Sequence, residues 1–216
     1  MRYIQKGEEP EKLANWKALA NEDWQPTYEE LRGDIKIDLH DTLLKEQGYL
    51  CCYCEMRVTR SNSHIEHFKP RTSYPDLSLN YSNLLASCQR EREPKEPQHC
   101  GVKKEDWYDE QLMVSPVIAN CGDFFRYTGF GEILPTDDLP KQQAATATIK
   151  QLELNLGKLQ NMRREAINGI LQAVDGLSQP EIDLFLQELA KPDAEGKYTP
   201  FYSAIAYTVT QYYPTL

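Results

Sequence analysis

Two groups of side chains in this chain have types and spacings suited to chemistry, and both lie between residues 50 and 105. The first is sulfur. Cys51-Cys52-Tyr53-Cys54 contains a Cys-x-x-Cys pair, and two thiolates so spaced can grip one zinc ion from a tight turn, a zinc knuckle. A pair is half a site. Cys88 and Cys100, separated by 11 residues, can complete a four-cysteine set. Spacing alone leaves other choices open, because His99 adjoins Cys100 and because Cys52 and Cys121 remain. The expected ligands are Cys51, Cys54, Cys88 and Cys100. A redox pair would sit at a helix N-terminus following a strand. Here Glu55-Met56-Arg57 leads into a turn and a strand, which disfavours redox chemistry.

The second group is His64-Ile65-Glu66-His67-Phe68-Lys69-Pro70, which holds two of the chain's four histidines and a carboxylate. Glu66 offers an oxygen to a hard cation. The neighbouring imidazole of His67 can take a proton near neutral pH. Adjacent residues can both face a cleft where a strand twists or stops, and Pro70 limits the length of this one. Sixteen residues beyond His67 lies Asn83. An Asn at the start of a helix can cap it and also pin a neighbouring loop, and a working imidazole needs its ring held in that way.

Several elements must position these groups. Residues 1–48 read as helical: Leu13, Trp16 and Leu19 recur at spacing three, and Leu39, Leu43 and Leu44 continue a stripe toward a Gly48 stop. Thr27-Tyr28-Glu29-Glu30 fits a capping box. Over residues 49–106 the pattern predicts two short strands, a loop around Pro70–Leu79, a helix starting near Asn83 and a charged loop from Gln89 to Gln98. Residues 107–140 suggest a small strand or two. From Lys141 the chain is helical again, with a second capping box at Ser178-Gln179-Pro180-Glu181 and a last helix from Pro200 to about Tyr212, rich in Phe and Tyr. The expected fold class is α+β, with segments 1–48, 49–106 and 107–216 forming one compact unit.

Charge is distributed unevenly. The net charge is -9, so no global basic field draws nucleic acid to the protein. From Leu50 to Lys104, however, nine basic residues stand against six acidic ones, a local +3, while the remainder carries 15 against 27, or -12. The chemistry-bearing segment is the basic island of an acidic protein and suits an anionic substrate. No window approaches 18 uninterrupted apolar residues and the N-terminus has no apolar h-region, so the expectation is a cytoplasmic protein with reduced thiols and no membrane span.

Taken together, Cys-x-x-Cys, Glu-His-x-x-Pro, Asn-Leu-x-x-x-Cys and a further Cys followed by Lys103-Lys104 resemble the HNH endonuclease family in its zinc-stapled form. Met1-Arg2-Tyr3-Ile4, Phe125-Arg126-Tyr127 and Gly131-Glu132-Ile133 are similar to the HNH subunits of Septu and related retron anti-phage systems. The resemblance implies a ββα-metal (His-Me finger) core flanked by helices, with structural Zn2+ and a catalytic Mg2+ or Mn2+. It implies hydrolysis of DNA beside an ATPase subunit, which the aromatic C-terminal helices would contact. Glu66 would bind the divalent ion, His67 would be the general base, and Asn83 would orient it. The family's last histidine follows the final zinc cysteine, where this chain has Gly101. His99 is the expected replacement ligand, with His64 as the alternative. Lys69, Lys103 and Lys104 would contact phosphates. Two other readings stay open: an RNA substrate, or a non-catalytic zinc module for protein contacts.

Overall fold

The computed structural model describes residues 1–90 and 96–213. Among these residues it is α+β, with seven α-helices and two antiparallel two-stranded sheets. In chain order these are α1 (Glu11–Lys17), α2 (Gly33–Glu46), β1 (Ser63–His67), β2 (Leu84–Cys88), α3 (Cys100–Lys104), β3 (Phe125–Tyr127), β4 (Ile133–Pro135), α4 (Leu139–Gln151), α5 (Gly157–Val174), α6 (Gln179–Leu189) and α7 (Tyr202–Tyr212). None of the helices is long and apolar enough to cross a membrane.

The N-terminal helices form as their patterns require. Leu13 of α1 and Leu39, Leu43 and Leu44 of α2 are buried in the main core, while Leu19 lies beyond the end of α1 and is exposed. Gly48 adopts φ +56°, the left-handed stop expected after α2. The Thr27 capping box closes on a single 3-10 turn rather than an α-helix. The Ser178 box opens α6, with Ser178 N–H donating to Glu181 at 2.8 Å.

The centre differs from expectation at two elements. Asn83 ends a short 3-10 turn and leads into strand β2, not a helix. Leu84-Leu85-Ala86-Ser87-Cys88 is buried throughout, and a continuous apolar run carries no periodicity to separate a buried strand from a helix. β2 pairs with β1 in the register Ser63↔Cys88, Glu66↔Leu85 and His67↔Leu84. Of the two short strands expected in this segment ahead of Asn83, only β1 forms there; Leu50 and Arg57 make an isolated bridge that closes the cysteine turn. The short helix α3 packs on β2. Part of the charged loop expected over Gln89–Gln98, residues 91–95, lies outside the described residues.

Two apolar clusters lie beneath these elements. The larger joins α1, α2, the cysteine turn, β1, β2 and α4. The smaller is made by Ile167 and Val174 of α5, Ile182 of α6, and Ala204, Ile205 and Val209 of α7. The β3–β4 hairpin is fixed to α5 at Gly131, whose φ of +82° and 2.1 Å approach of a built Cβ to the Gln160 carbonyl exclude any side chain there. Arg163 donates to the Gly131 and Leu154 carbonyls, both at 2.7 Å, and completes that contact.

Candidate metal and catalytic centres

The cysteine turn is built by Cys51 N–H donating to the Met56 carbonyl and Glu55 N–H to the Cys51 carbonyl, with Glu55 at φ +63°. This turn aims Cys51 and Cys54 inward. Cys88, at the end of β2, and Cys100, at the start of α3, complete the set. The four buried sulfurs all lie within 4.8 Å of one another. Cys54 and Cys88 are 3.8 Å apart, close to the ~3.8 Å sulfur–sulfur edge of a tetrahedron with metal–sulfur bonds of about 2.3 Å. Burial opposes ionisation of these thiols, yet hydrogen bonds from Cys100, Cys52, Cys54 and Cys88 hold the Cys51 thiol well below its usual range, while Cys88 and Cys100 are pushed up. Four buried sulfurs converging on one point suit a soft cation. The four cysteines therefore form a cluster that could hold zinc. Cys52 and Cys121 stand outside it, the latter against the Met1 and Pro116 carbonyls.

Next to this cluster, β1 carries His64, Glu66 and His67. Glu66 is buried and fully engaged. Its Oε1 accepts from Tyr53 Oη at 3.0 Å and pairs with Lys104 Nζ at 2.9 Å, and its Oε2 lies 3.2 Å from His64 Nε2. Burial opposes the carboxylate charge, but the His64 hydrogen bond and the Lys104 ammonium more than offset it and hold the Glu66 carboxyl below its usual range. His64 Nδ1 lies 2.6 Å from the Gln89 carbonyl. The oxygen can only accept, so Nδ1 carries the hydrogen and Nε2 is the atom that faces Glu66. Burial disfavours charge on this ring, yet Glu66 outweighs that and raises its pKa.

Gly101 explains why these two side chains can meet. A Cβ built there would fall 2.5 Å from Glu66 Oε2 and 2.6 Å from His64 Nε2. His99, by contrast, turns to the sulfurs. Its Nδ1 lies 3.5 Å from Cys88 Sγ and 3.3 Å from Cys100 Sγ, and its buried Nε2 has no hydrogen-bond partner. The structure thus brings His64, not His99, to Glu66.

His67 is held from two directions. Its Nε2 donates to the Ser78 carbonyl at 2.9 Å, which leaves the proton-accepting lone pair on Nδ1. The Tyr28 ring packs edge-on against it with centroids 4.4 Å apart. Burial pushes its pKa down to about 4, with the Ser78 hydrogen bond opposing only in part, so the ring is neutral at pH 7. The loop that supplies Ser78 is pinned by Asn83. The Asn83 carbonyl oxygen accepts from Lys69 N–H at 2.8 Å, and its amide donates to the Lys69 and Leu77 carbonyls at 3.0 and 3.2 Å.

Of the three lysines, Lys103 is exposed and Lys69 lies near the Tyr74 and Tyr108 rings, at 5.2 and 5.3 Å. Lys104 is 2% exposed and spends its ammonium on Glu66 and the His67 carbonyl. Sequence reasoning missed the parts of Tyr53 and Tyr28, since neither stands at a spacing that marks it. Lys104 was noted for its charge, not for a buried pair. A cleft of about 490 Å3 opens over this centre, lined among others by His64, Glu66, His67, Arg71 and Lys104.

No family model matches the chain. Three curated proteins are similar to it. A Vibrio cholerae protein described as "Retron Vc95 putative HNH endonuclease" is 32% identical over 142 residues, 63% of this chain and 67% of that protein. An Escherichia coli protein described as "Retron Ec83 putative HNH endonuclease" is 28% identical over 206 residues, 77% of this chain and 79% of that protein. The "Septu protein PtuB" of Bacillus thuringiensis is 33% identical over 92 residues, 42% of this chain and 35% of that protein. At 32% identity over 67% of the first of these proteins, the chain belongs to the HNH endonuclease family associated with retrons.

Proposed function

We propose that this chain is a metal-dependent endonuclease that hydrolyses DNA phosphodiester bonds, and that it is the cytoplasmic nuclease of a bacterial anti-phage system working beside an ATPase subunit. The observation that carries the reading is the arrangement on β1: a buried Glu66 beside His64, next to a neutral His67 whose Nε2 is tied and whose Nδ1 is free. In this reading β1, β2 and α3 are the ββα-metal unit, residues 49–106 are the nuclease core, and segments 1–48 and 107–216 support it. Zinc on Cys51, Cys54, Cys88 and Cys100 staples the unit together. A closed four-ligand site has no open position for water, so its role is structural.

Glu66 Oε2 and His64 Nε2 would hold Mg2+ or Mn2+. The donor types suit such an ion, and His64 has the second-nitrogen hydrogen bond to a carbonyl that metal-ligating histidines carry. Bound there, the ion would supply Lewis-acid stabilisation of the phosphate and leaving oxygen. His67 Nδ1 takes the proton from the attacking water. Ser78 fixes the ring and receives the imidazolium's Nε2–H, Asn83 holds the loop that bears Ser78, and Lys104 and Tyr53 keep Glu66 ionised and oriented.

The test is cleavage of supercoiled plasmid, with a matched RNA alongside, by the purified chain in Mn2+. Wild type should nick DNA. His67→Ala should lose about 10²–10⁴-fold with zinc content unchanged, and Glu66→Ala should lose the Mn2+ binding seen by electron paramagnetic resonance. Cleavage by His67→Ala at the wild-type rate would rule out this assignment of the base.

A further inference from the structure

A second cleft, of about 630 Å3, adjoins the first and shares His64 and Ile65 with it. Its walls come from α2 and from the turn before β1, and the side chains that line it include Lys36, Arg60 and Arg90. No Asp or Glu lines it. That absence is unexpected in a protein of net charge -9, and α2 shows how it arises. Gly33, Lys36, Ile37 and His40 follow one helical face into the cleft. Asp34, Asp38 and Asp41 occupy the next face round, where the first two pair with Lys12 and the third with Arg60. None of these three acids lines the cleft, and Asp41 reaches only Arg60 at its edge, at 2.9 Å.

The catalytic cleft beside it is mixed in charge: Arg71 and Lys104 line it with Glu29, Glu66, Glu105 and Asp106, and the two cations pair with Glu29 and Glu66. Lys36 lies over the Tyr28 ring at 5.1 Å from its centroid, and Arg71, which lines the first cleft, lies over the same ring at 4.7 Å. Tyr28 in turn packs on His67. An open groove edged by separated cations, leading to a phosphodiesterase centre, fits a chain of phosphates better than one small anion. We infer that this second cleft is a backbone-binding track, in which Lys36 and Arg60 bind phosphates of the nucleic acid flanking the bond at His67. The inference rests on the nuclease reading for its substrate class. It assigns the N-terminal helical segment a part in binding substrate, beyond supporting the core. Arg60 gives up little in binding, since its pair with Asp41 is exposed on both sides and such pairs contribute about 0–1 kcal/mol.

The experiment uses Lys36→Ala/Arg60→Ala in the full chain, with Lys191→Ala as an exposed control. Binding of a labelled 20-mer DNA duplex and a matched RNA duplex is measured against salt without added divalent ion. For the double variant the expected affinity loss is about tenfold at 50 mM salt, and the slope of log K against log salt shrinks by roughly 2, near 0.9 per phosphate released. An equal loss on RNA shows that the backbone is read, and a loss on DNA alone identifies deoxyribose duplex geometry as part of the recognition. Hydrolysis of bis(p-nitrophenyl) phosphate in Mn2+ should be unchanged, while kcat/KM on the oligonucleotide falls. Unchanged affinity and salt slope would overturn the track and leave the nuclease reading intact, as would absent wild-type binding at 50 mM salt. Loss of bis(p-nitrophenyl) phosphate hydrolysis in the double variant would also overturn it. Wild type that binds through Lys36 and Arg60 but never cleaves would keep the track and sink the nuclease.

Discussion

At the scale of single residues, Glu66 shows how much support one buried carboxylate needs. Its two oxygens are shared among a phenol, an ammonium and an imidazole. Lys104 pairs with Glu66 at 2.9 Å, and its ammonium also donates to the His67 carbonyl at 3.0 Å. Removing one partner from a buried pair leaves the other charge uncompensated, which costs about 3–5 kcal/mol. Lys104→Met should therefore lower unfolding stability in urea by about 3 kcal/mol or more. Lys103→Met, one residue away and exposed, should change it by less than ~0.5 kcal/mol. Equal effects would mean that the Lys104–Glu66 pair contributes nothing specific.

At the scale of elements, the sequence disclosed ligand types better than it disclosed the backbone that carries them. The Cys-x-x-Cys spacing marked Cys51 and Cys54 directly, because it constrains a turn, while spacing left Cys88 and Cys100 to be chosen over Cys52, Cys121 and His99; the four expected sulfurs are those that cluster. The helix stripes were legible for the same reason, being periodic. Strand β2 was not, because its five residues are all buried and burial on both faces erases the alternation that marks a strand. The pairing of Glu66 with His64 was also hidden. His64 and Glu66 share a face of β1 as residues two apart, but the room for them to meet comes from the missing Cβ of Gly101, 35 residues beyond Glu66, which no local pattern encodes. If the sulfur cluster binds zinc, it ties together the cysteine turn, β2 and α3, elements of three to five residues with little core of their own. Structural zinc sites carry roughly 10–16 kcal/mol of apparent binding energy. Cys54→Ser should then give insoluble or unfolded protein, and elemental analysis of wild type should find one zinc per chain. A well-folded Cys54→Ser variant free of metal would refute a stabilising zinc.

At the scale of the whole molecule, protonation and partner binding act on the entire fold. His40 on α2 is buried, with Nε2 2.9 Å from Ser63 Oγ. Burial pushes its pKa from 6.5 to about 4; Asp41 opposes that shift, while His64, Arg60 and Lys36 reinforce it. The unfolded chain therefore binds a proton at higher pH than the folded one. Stability from this group is complete above about pH 6.5 and is lost as pH falls from there toward 4. His67 contributes with the same sign, whereas His64, raised by Glu66, contributes with the opposite one. Urea unfolding should show a loss of stability between pH 7.5 and 5.5 that is smaller in His40→Gln; an identical pH dependence in the two proteins would refute the assignment.

The net charge of -9 bears on how such a protein would meet DNA. Like-sign repulsion slows encounter, and two or three phosphate contacts cannot sustain affinity at 150 mM salt. The proposed ATPase subunit would then supply the missing binding energy, with the C-terminal helices as its contact. Truncation before Pro200 cannot test this, because Phe201, Ala204, Ile205 and Val209 are buried and the Phe201 N–H donates to the Glu55 carbonyl. Tyr212 offers a cleaner handle: it lies at the end of α7 and is 62% exposed. The isolated chain should bind duplex DNA measurably at 50 mM salt and negligibly at 150 mM. Co-expressed with the ATPase, it should purify as a complex that binds at 150 mM, and Tyr212→Asp should weaken that complex without shifting the melting temperature of the isolated chain. Tight, specific cleavage at 150 mM salt by the purified chain alone would refute the dependence on a partner.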